Sequence, residues 1–224
     1  MVLLFDLDGT LMDPRPGIVG CIRYALNRLT RPIPADEILA SFIGPPLRNT
    51  FATLLESTDR ERIEDAMSLY RERFTSTGIY ENQVYDGIPA MLEDARRKVS
   101  ASYVATSKPT AYADRIIRHF RLDHYFDGIY GSELDGRFEN KADLLAHLLS
   151  VEKVRAAAAV MVGDRGVDMI AARANGVRPV GVLWGYGSRQ ELVEAKADFL
   201  CAVPDDLAGC LSRIHIDSER YKSK

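Results

Sequence analysis

The sequence lacks a long apolar run, and this absence excludes a class of protein. No stretch approaches the roughly 20 apolar residues that a membrane-spanning helix needs. The first apolar segment starts at Val2 and has the length of a strand, so nothing resembles a signal sequence. We therefore expect a cytoplasmic protein with no membrane partner.

An excess of basic charge is lacking as well. The chain has 29 lysines and arginines against 32 aspartates and glutamates, a formal net charge of −3, and no long basic run. A surface that binds nucleic acid is usually strongly basic, so we expect no nucleic-acid partner.

Cysteine is scarce. Cys21, Cys201 and Cys210 are odd in number and show no Cys-x-x-Cys spacing, which argues against a disulfide framework or a zinc site. The pattern predicts buried structural thiols.

Hydrophobic periodicity divides the chain into three parts. A short apolar strand at residues 2–5 comes first, and helical periodicity without a strand follows from about residue 14 to 82. From Val84 onward strands and helices alternate, which is typical of a parallel sheet covered on both faces. We predict an α/β protein whose core domain comprises residues 1–13 and 83–216, with a four-helix insert at 14–82 and a frayed polar tail at 217–224.

The predicted element boundaries are specific enough to be checked. The insert helices are placed near 18–29, 35–41 and 46–54, and a fourth begins at a capping-box pattern that starts with Thr58. In the core, strands are placed at 102–105, 128–130, 157–162, 180–183 and 199–200. Helices begin at Lys141 and Gly166, and a last one is placed at 205–213.

The segment Phe5-Asp6-Leu7-Asp8-Gly9-Thr10 directly follows the first strand. Alternate side chains of a strand point the same way, so Asp6 and Asp8 are expected together at its C-terminal end. Ligands of open α/β sheets bind at that edge. A plain solvated turn is the alternative. An EF-hand loop is excluded, because its twelfth position from Asp6 is Gly17 and not glutamate.

Four polar clusters occupy equivalent places, after strands or at helix starts, and would converge at one sheet edge. They are Asp6 with Asp8, Thr106 with Ser107, Lys141, and Asp164 with Asp168. Four carboxylates so close repel one another, and a divalent cation such as Mg²⁺ would compensate them. Asp168 alone could instead serve the helix dipole.

Phosphate suits the remaining polar groups. Thr106 and Ser107 offer hydroxyl groups and backbone N–H groups, and such turns bind anions. Lys141 would donate to a phosphate oxygen. Its alternative role, an exposed lysine at a helix start, is electrostatically unfavourable.

The ordered set Phe-Asp-Leu-Asp-Gly-Thr, Val-Ala-Thr-Ser-Lys-Pro, Lys141 and Val-Gly-Asp-Arg-Gly-Val-Asp resembles the four motifs of the haloacid dehalogenase-like superfamily. The resemblance covers nearly the whole chain. It implies a Rossmann-like core, a C1-type cap formed by the insert, and hydrolysis of phosphate monoesters through an aspartyl-phosphate. The family has serine in many members where this chain has Pro14, and we expect that difference to affect the hinge or cap entry and not the chemistry.

The resemblance also implies roles for individual residues. Asp6 would be the nucleophile and Asp8 the general acid and base, with Thr106 and Lys141 completing the catalytic set. Mg²⁺ would be bound by Asp6, the Asp8 backbone carbonyl, Asp164 and Asp168. The phosphate would be bound by Gly9, Thr10, Thr106, Ser107 and Lys141.

A finer resemblance concerns the substrate. The segments at residues 42–48 and 185–188 look like the branch of phosphoglycolate phosphatase-like and 5′-nucleotidase-like proteins, so 2-phosphoglycolate and a nucleoside 5′-monophosphate are both expected candidates. Gly44 and Arg48 are the expected substrate residues of the insert. A sugar phosphomutase and a non-catalytic phosphate-binding module remain as alternatives, and we expect a monomer or a homodimer.

Overall fold

The structure is a computed structural model, and it describes residues 1–44 and 46–222. The described chain forms two compact units. The first unit consists of residues 1–12 and the described residues from 84 onward. The second unit consists of residues 13–83 apart from position 45. The chain therefore leaves the first unit once and returns to it once.

The first unit is built on a parallel sheet. The strands of the described residues are β1 (Val2–Phe5), β2 (Met12–Asp13), β3 (Gln83–Val84), β4 (Ala101–Pro109), β5 (Gly128–Ser132), β6 (Ala159–Gly163), β7 (Arg178–Val182) and β8 (Phe199–Cys201). Six of them pair in the order β5-β4-β1-β6-β7-β8, and every pair is parallel. Leu4 of the central β1 lies between Tyr103 and Met161 of its neighbours. The predicted α/β class is confirmed.

Helices cover this sheet and form most of the second unit. Those of the second unit are α1 (Arg15–Arg28), α2 (Asp36–Ala40), α3 (Leu47–Leu54) and α4 (Arg60–Ser76), and those of the first are α5 (Ile88–Lys98), α6 (Thr110–His119), α7 (Lys141–Val151), α8 (Gly166–Ala174), α9 (Arg189–Glu194) and α10 (Asp206–Lys222). Leu145 of α7 and Ala171 of α8 join Leu4 and Met161 in one buried cluster. Within the described ranges, no helix combines the length and apolarity that crossing a bilayer requires.

The second unit contains the four predicted helices. The buried stripe of α4 is the predicted one: Ile63, Ala66, Met67, Tyr70 and Phe74. Tyr70 stacks on Phe74 and meets the edge of Phe51 from α3, so aromatic contacts join the two helices. The start of α4 differs from the prediction. Asp59, not Thr58, caps the helix, because its carboxylate accepts a 3.0 Å hydrogen bond from the Glu61 N–H.

Two strands extend further than the sequence predicts. The predicted end of β4 at Ala105 is wrong, because β4 continues to Pro109 and β5 continues to Ser132. Pro109 pairs with Ser132 after a register shift. Two polar segments therefore support each other across the ladder, and neither carries the apolar run that marks a strand.

The C-terminal helix is also longer than predicted. The predicted end at Arg213 and the frayed tail at 217–224 are corrected by α10, which continues to Lys222. No glycine or proline follows Gly209, and a chain without either residue readily continues a helix. Ser223 and Lys224 lie outside the described residues. The short elements β2, β3 and α9 were not predicted.

The three cysteines are free thiols. Cys21 and Cys201 are buried as predicted, but Cys210 is only half-buried. The Sγ atoms of Cys201 and Cys210 lie 3.3 Å apart, because β8 and α10 pack together. Burial and the neighbouring thiol raise the pKa of Cys201, so this group stays protonated at neutral pH.

A glycine contact in the second unit gives a stability prediction. A Cβ atom on Gly17 of α1 would lie 2.2 Å from the Gly78 carbonyl oxygen, which is backbone and cannot rotate away. Gly17→Ala should therefore lower the free energy of unfolding by about 1–3 kcal/mol through overpacking. Urea denaturation followed by circular dichroism measures this change.

Gly209→Ala is the matched control. This glycine lies inside α10, and nothing lies within 4 Å of the position that its Cβ would occupy. Alanine should stabilise that helix by up to about 1 kcal/mol. Equal effects of the two substitutions would contradict the packing described for Gly17.

Candidate active site

Three carboxylates meet at the C-terminal edge of the sheet. Asp6 follows β1 directly, and Asp164 and Asp168 follow β6, the parallel neighbour of β1. Each of the three offers an oxygen that lies within 4.8 Å of those of the other two, and all three side chains are buried. These residues converge as predicted, because the C-terminal ends of the parallel strands β1 and β6 lie at the same edge of the sheet.

Lys141 supplies positive charge to this carboxylate cluster. Its Nζ lies 2.8 Å from Asp6 Oδ1 and also contacts Asp168 Oδ1. The side chain is almost completely buried at the start of α7. Burial alone lowers the pKa of the ammonium group, but the charges of Asp168 and Asp6 outweigh it and raise the pKa. Lys141 is therefore a fixed cation and not an exposed surface lysine.

One lysine does not balance three carboxylates. Burial, followed by the charges of Asp6 and Asp168, raises the pKa of Asp164 to about 8. Burial also raises the pKa of Asp168 to about 6, although the nearby Lys141 opposes that effect. A divalent cation bound between these oxygens would remove the repulsion. Carboxylate oxygens are the ligands that Mg²⁺ prefers.

Asp164 is held at both oxygens. The Thr10 hydroxyl donates to Oδ1 at 3.2 Å, and the Tyr186 N–H donates to Oδ2 at 2.8 Å. A Cβ atom on Gly9 would lie 2.2 Å from Asp164 Oδ2. Gly9 also has a φ of +85°, which residues other than glycine rarely adopt. Glycine is therefore required at position 9 for two reasons, the positive φ of the backbone and the close approach of the Asp164 carboxylate.

The loop that contains Tyr186 packs against Asp164 and Thr10. Gly187 leaves no room for a side chain, because its Cβ would lie 1.8 Å from the Asp164 carbonyl oxygen. Trp184 Nε1 donates to the Thr10 carbonyl oxygen at 2.9 Å. The sequence offered Gly-Tyr-Gly-Ser as a family motif, and in the structure this segment supports a carboxylate of the cluster.

Asp8 has a lysine partner that sequence reasoning missed. Lys108 Nζ lies 2.9 Å from Asp8 Oδ2. Burial raises the pKa of Asp8, and the Lys108 charge opposes that rise. The alternation of strand side chains could have identified Lys108, because it lies two residues after Thr106 on a strand that continues past its predicted end.

The same alternation separates Thr106 from Ser107. Thr106 is buried, and its hydroxyl oxygen accepts a hydrogen bond from the Lys108 N–H. Ser107 is exposed, and its carbonyl accepts a hydrogen bond from the Ser132 hydroxyl. In the part of the chain that the structure describes, no hydrogen bond joins the Ser107 hydroxyl to the carboxylates. If Ser107 contacts the phosphate as predicted, the contact would come from its backbone and not from its hydroxyl.

Gly9 and Thr10 use their backbone N–H groups within their own turn. The Gly9 N–H donates to the Met12 carbonyl and the Thr10 N–H to the Leu7 carbonyl. The Thr10 hydroxyl is engaged with Asp164. Their predicted contact with phosphate therefore requires an exchange of hydrogen bonds.

The predicted substrate residues of the insert lie in the second unit. Arg48, near the start of α3, forms an ion pair with Glu64 of α4, and both side chains are partly exposed. Gly44 has a φ of +107°, a conformation suited to glycine. Pro45 lies outside the described residues.

Comparisons with known proteins agree with this geometry. Residues 3–182 match the family described as haloacid dehalogenase-like hydrolase. The chain is 46% identical to a 5′-nucleotidase of Pseudomonas aeruginosa, with 89% of the chain and 90% of that protein covered. It is 30% identical to a plasmid-encoded phosphoglycolate phosphatase of Cupriavidus necator, with 90% of each covered.

Two further similarities concern another activity and the fold. The tyrosine-protein kinase PtkA of Mycobacterium tuberculosis is 38% identical over 89% of the chain, which covers 65% of that longer protein. The crystal structure of a "predicted phosphatase" from Clostridium acetobutylicum superimposes with a TM-score of 0.88 at 37% identity, covering 95% of this chain and 98% of the other.

Thr10 provides a test of the carboxylate cluster as a metal site. Thr10→Val should weaken Mg²⁺ binding by about tenfold or more, because Asp164 loses the hydroxyl that fixes one of its oxygens. Isothermal titration calorimetry with Mg²⁺ measures this change. Thr10→Ser keeps the hydroxyl and is the control, for which we expect near-normal affinity. Equal affinity of the valine and serine variants would contradict the role assigned to the hydrogen bond.

Proposed function

The chain belongs to the haloacid dehalogenase-like hydrolase family and is one of its phosphatases, and we propose that it hydrolyses small phosphate monoesters at Asp6 with Mg²⁺ bound beside it. The observation that carries the proposal is the cluster of three buried carboxylates, Asp6, Asp164 and Asp168, with the buried Lys141 in contact with Asp6 and Asp168. Asp6 as a nucleophile, Lys141 as a cation for the phosphate, and Asp164 and Asp168 as metal ligands thus lie close together.

The residues present fit Mg²⁺. Asp6, Asp164 and Asp168 offer hard oxygen ligands, and burial with mutual repulsion raises the pKa of Asp164 and Asp168. A bound divalent cation would use these oxygens as ligands and would relieve the repulsion that raises the two pKa values. When bound, Mg²⁺ neutralises charge on the phosphate oxygens during the transfer.

Asp6 acts as the nucleophile in this proposal. One carboxylate oxygen attacks phosphorus, the ester bond to the leaving oxygen breaks, and an aspartyl-phosphate forms. Lys141 holds Asp6 and is placed to meet a phosphate oxygen as well, since its Nζ has three donors. The buried Thr106 hydroxyl offers a second group for the phosphate.

Asp8 handles the proton. It follows Asp6 by two residues, and its carboxyl donates a proton to the leaving oxygen in the first step. The resulting carboxylate then takes a proton from the water that attacks the aspartyl-phosphate. Burial raises the pKa of Asp8, which favours the protonated form that the first step requires.

The substrate class follows from the relatives in combination with the sequence motifs. A relative named 5′-nucleotidase is 46% identical, so we propose a nucleoside 5′-monophosphate as the leading substrate. A phosphoglycolate phosphatase at 30% identity supports 2-phosphoglycolate as the second candidate. The predictions of a cytoplasmic location and of a monomer or homodimer stay predictions.

The relative named tyrosine-protein kinase points to a second possible outcome of the same chemistry. A phosphoryl group on Asp6 can pass to water or to another hydroxyl group, such as that of a sugar in a phosphomutase. Transfer to water releases inorganic phosphate and transfer to a hydroxyl does not, so the assay for phosphate release distinguishes these functions.

Asp6→Asn tests the proposed nucleophile. The amide cannot form an acyl phosphate, so we expect phosphate release from AMP, 2-phosphoglycolate and p-nitrophenyl phosphate to fall by more than about a thousandfold. A malachite green assay with Mg²⁺ measures the release. In the same assay, the wild type should lose activity when EDTA removes the metal and regain it when Mg²⁺ is added back. Undiminished phosphate release by a folded, metal-loaded Asp6→Asn protein would refute the proposal.

Arg48→Ala tests the predicted substrate role of the insert. A guanidinium group suits a carboxylate, so a substrate contact predicts a loss of kcat/KM with 2-phosphoglycolate of about tenfold or more, while p-nitrophenyl phosphate is little affected. Glu64→Gln is the control, because it removes the ion-pair partner of Arg48 and leaves the guanidinium. Equal losses on both substrates, or none, would remove Arg48 from the substrate site.

A further inference from the structure

We infer that Lys108 is a positioning residue, which holds one oxygen of Asp8 so that the other oxygen faces the leaving group. The inference rests on the proposed function, because it concerns the proton transfer assigned to Asp8. It assigns the two lysines of the site to different steps.

The contact between the two side chains is short and shielded. Lys108 Nζ lies 2.9 Å from Asp8 Oδ2, and the exposed fractions of the side chains are 6% and 19%. A buried ion pair is less screened by water than a surface ion pair and holds its partners more firmly. The carboxyl group of Asp8 is therefore fixed at Oδ2.

The other oxygen of Asp8 is available. Asp8 Oδ1 is buried and has no hydrogen-bond partner among the described residues. A buried polar atom without a partner is costly and uncommon, and one at a reaction site is explained by a ligand that satisfies it. The oxygen of a leaving alcohol is such a ligand.

The backbone places Lys108 for this task. The register of β4 against β5 shifts between Ala105 and Pro109, which changes the regular course of the strand where Lys108 lies. The Lys108 N–H donates to Thr106 Oγ1 at 3.2 Å. The residue that holds Asp8 is thereby tied to the residue proposed to hold the phosphate.

The two lysines contact different carboxylates. Lys141 lies on Asp6 and Asp168, whereas Lys108 lies on Asp8. Lys141 thus serves bond formation to phosphorus, and Lys108 serves departure of the alcohol. Loss of Lys108 should consequently matter most where departure needs a proton.

The experiment compares two leaving groups. p-Nitrophenolate leaves readily without a proton, whereas the alkoxide of an alkyl phosphate such as AMP requires one. Lys108→Met should lower kcat with both substrates but lower it much more with AMP, so that the ratio of the two kcat values changes by about tenfold or more. Lys108→Arg keeps a cationic donor and should restore most of that ratio.

A double-mutant cycle identifies the partner of Lys108. Asp8→Asn removes the proton donor, so adding Lys108→Met to it should change the ratio little further. The inference would be overturned if the folded Lys108→Met protein had the wild-type ratio of the two kcat values. It would also be overturned if the effects of Lys108→Met and Asp8→Asn on that ratio multiplied in the double mutant. If the methionine variant does not fold, Lys108→Gln is measured in its place under the same criteria.

Failure of the proposed function looks different. In that case the wild type releases phosphate no faster than Asp6→Asn with either substrate, whatever residue stands at position 108. If Asp6→Asn abolishes activity and the ratio is unaffected at position 108, the phosphatase mechanism stands and only the role of Lys108 is overturned.

Discussion

Negative charge crowded into a dry sheet edge is the constraint on which the rest of the structure depends. Asp6, Asp164 and Asp168 are buried with their oxygens within 4.8 Å of one another. Water cannot screen them there, so the protein must supply compensating charge. Lys141 provides part of it, and a bound divalent cation would provide the rest.

The carboxylates hold this arrangement because neighbouring groups determine where they lie. The Thr10 hydroxyl and the Tyr186 N–H fix Asp164, and glycines at 9 and 187 allow the backbone to approach it. Each of these groups belongs to the first unit. The contacts that hold Asp164 are therefore made within that unit, and neither hydrogen-bond partner of its carboxylate belongs to the helical insert.

Sequence patterns predicted the cluster because strand alternation and parallel topology are local rules with a definite spatial result. They missed Lys108 because the polar end of β4 lacks an apolar run, so a strand that continues to Pro109 was given an early end. The same error placed Ser107 beside Thr106, although the strand turns it outward. The Thr10–Asp164 hydrogen bond spans 154 positions, and no local pattern reports such a contact.

The position of β1 has a consequence for synthesis. This strand is made before both strands that it pairs with, since Leu4 pairs with Tyr103 on one side and Met161 on the other. Most of the chain must leave the ribosome before both edges of β1 are covered, and an apolar strand with open edges is prone to aggregate. Contacts so distant along the chain also slow folding. Asp6 therefore leaves the ribosome well before Asp164 and Asp168, and a product that ends ahead of them lacks the carboxylates that surround Asp6 in the folded chain.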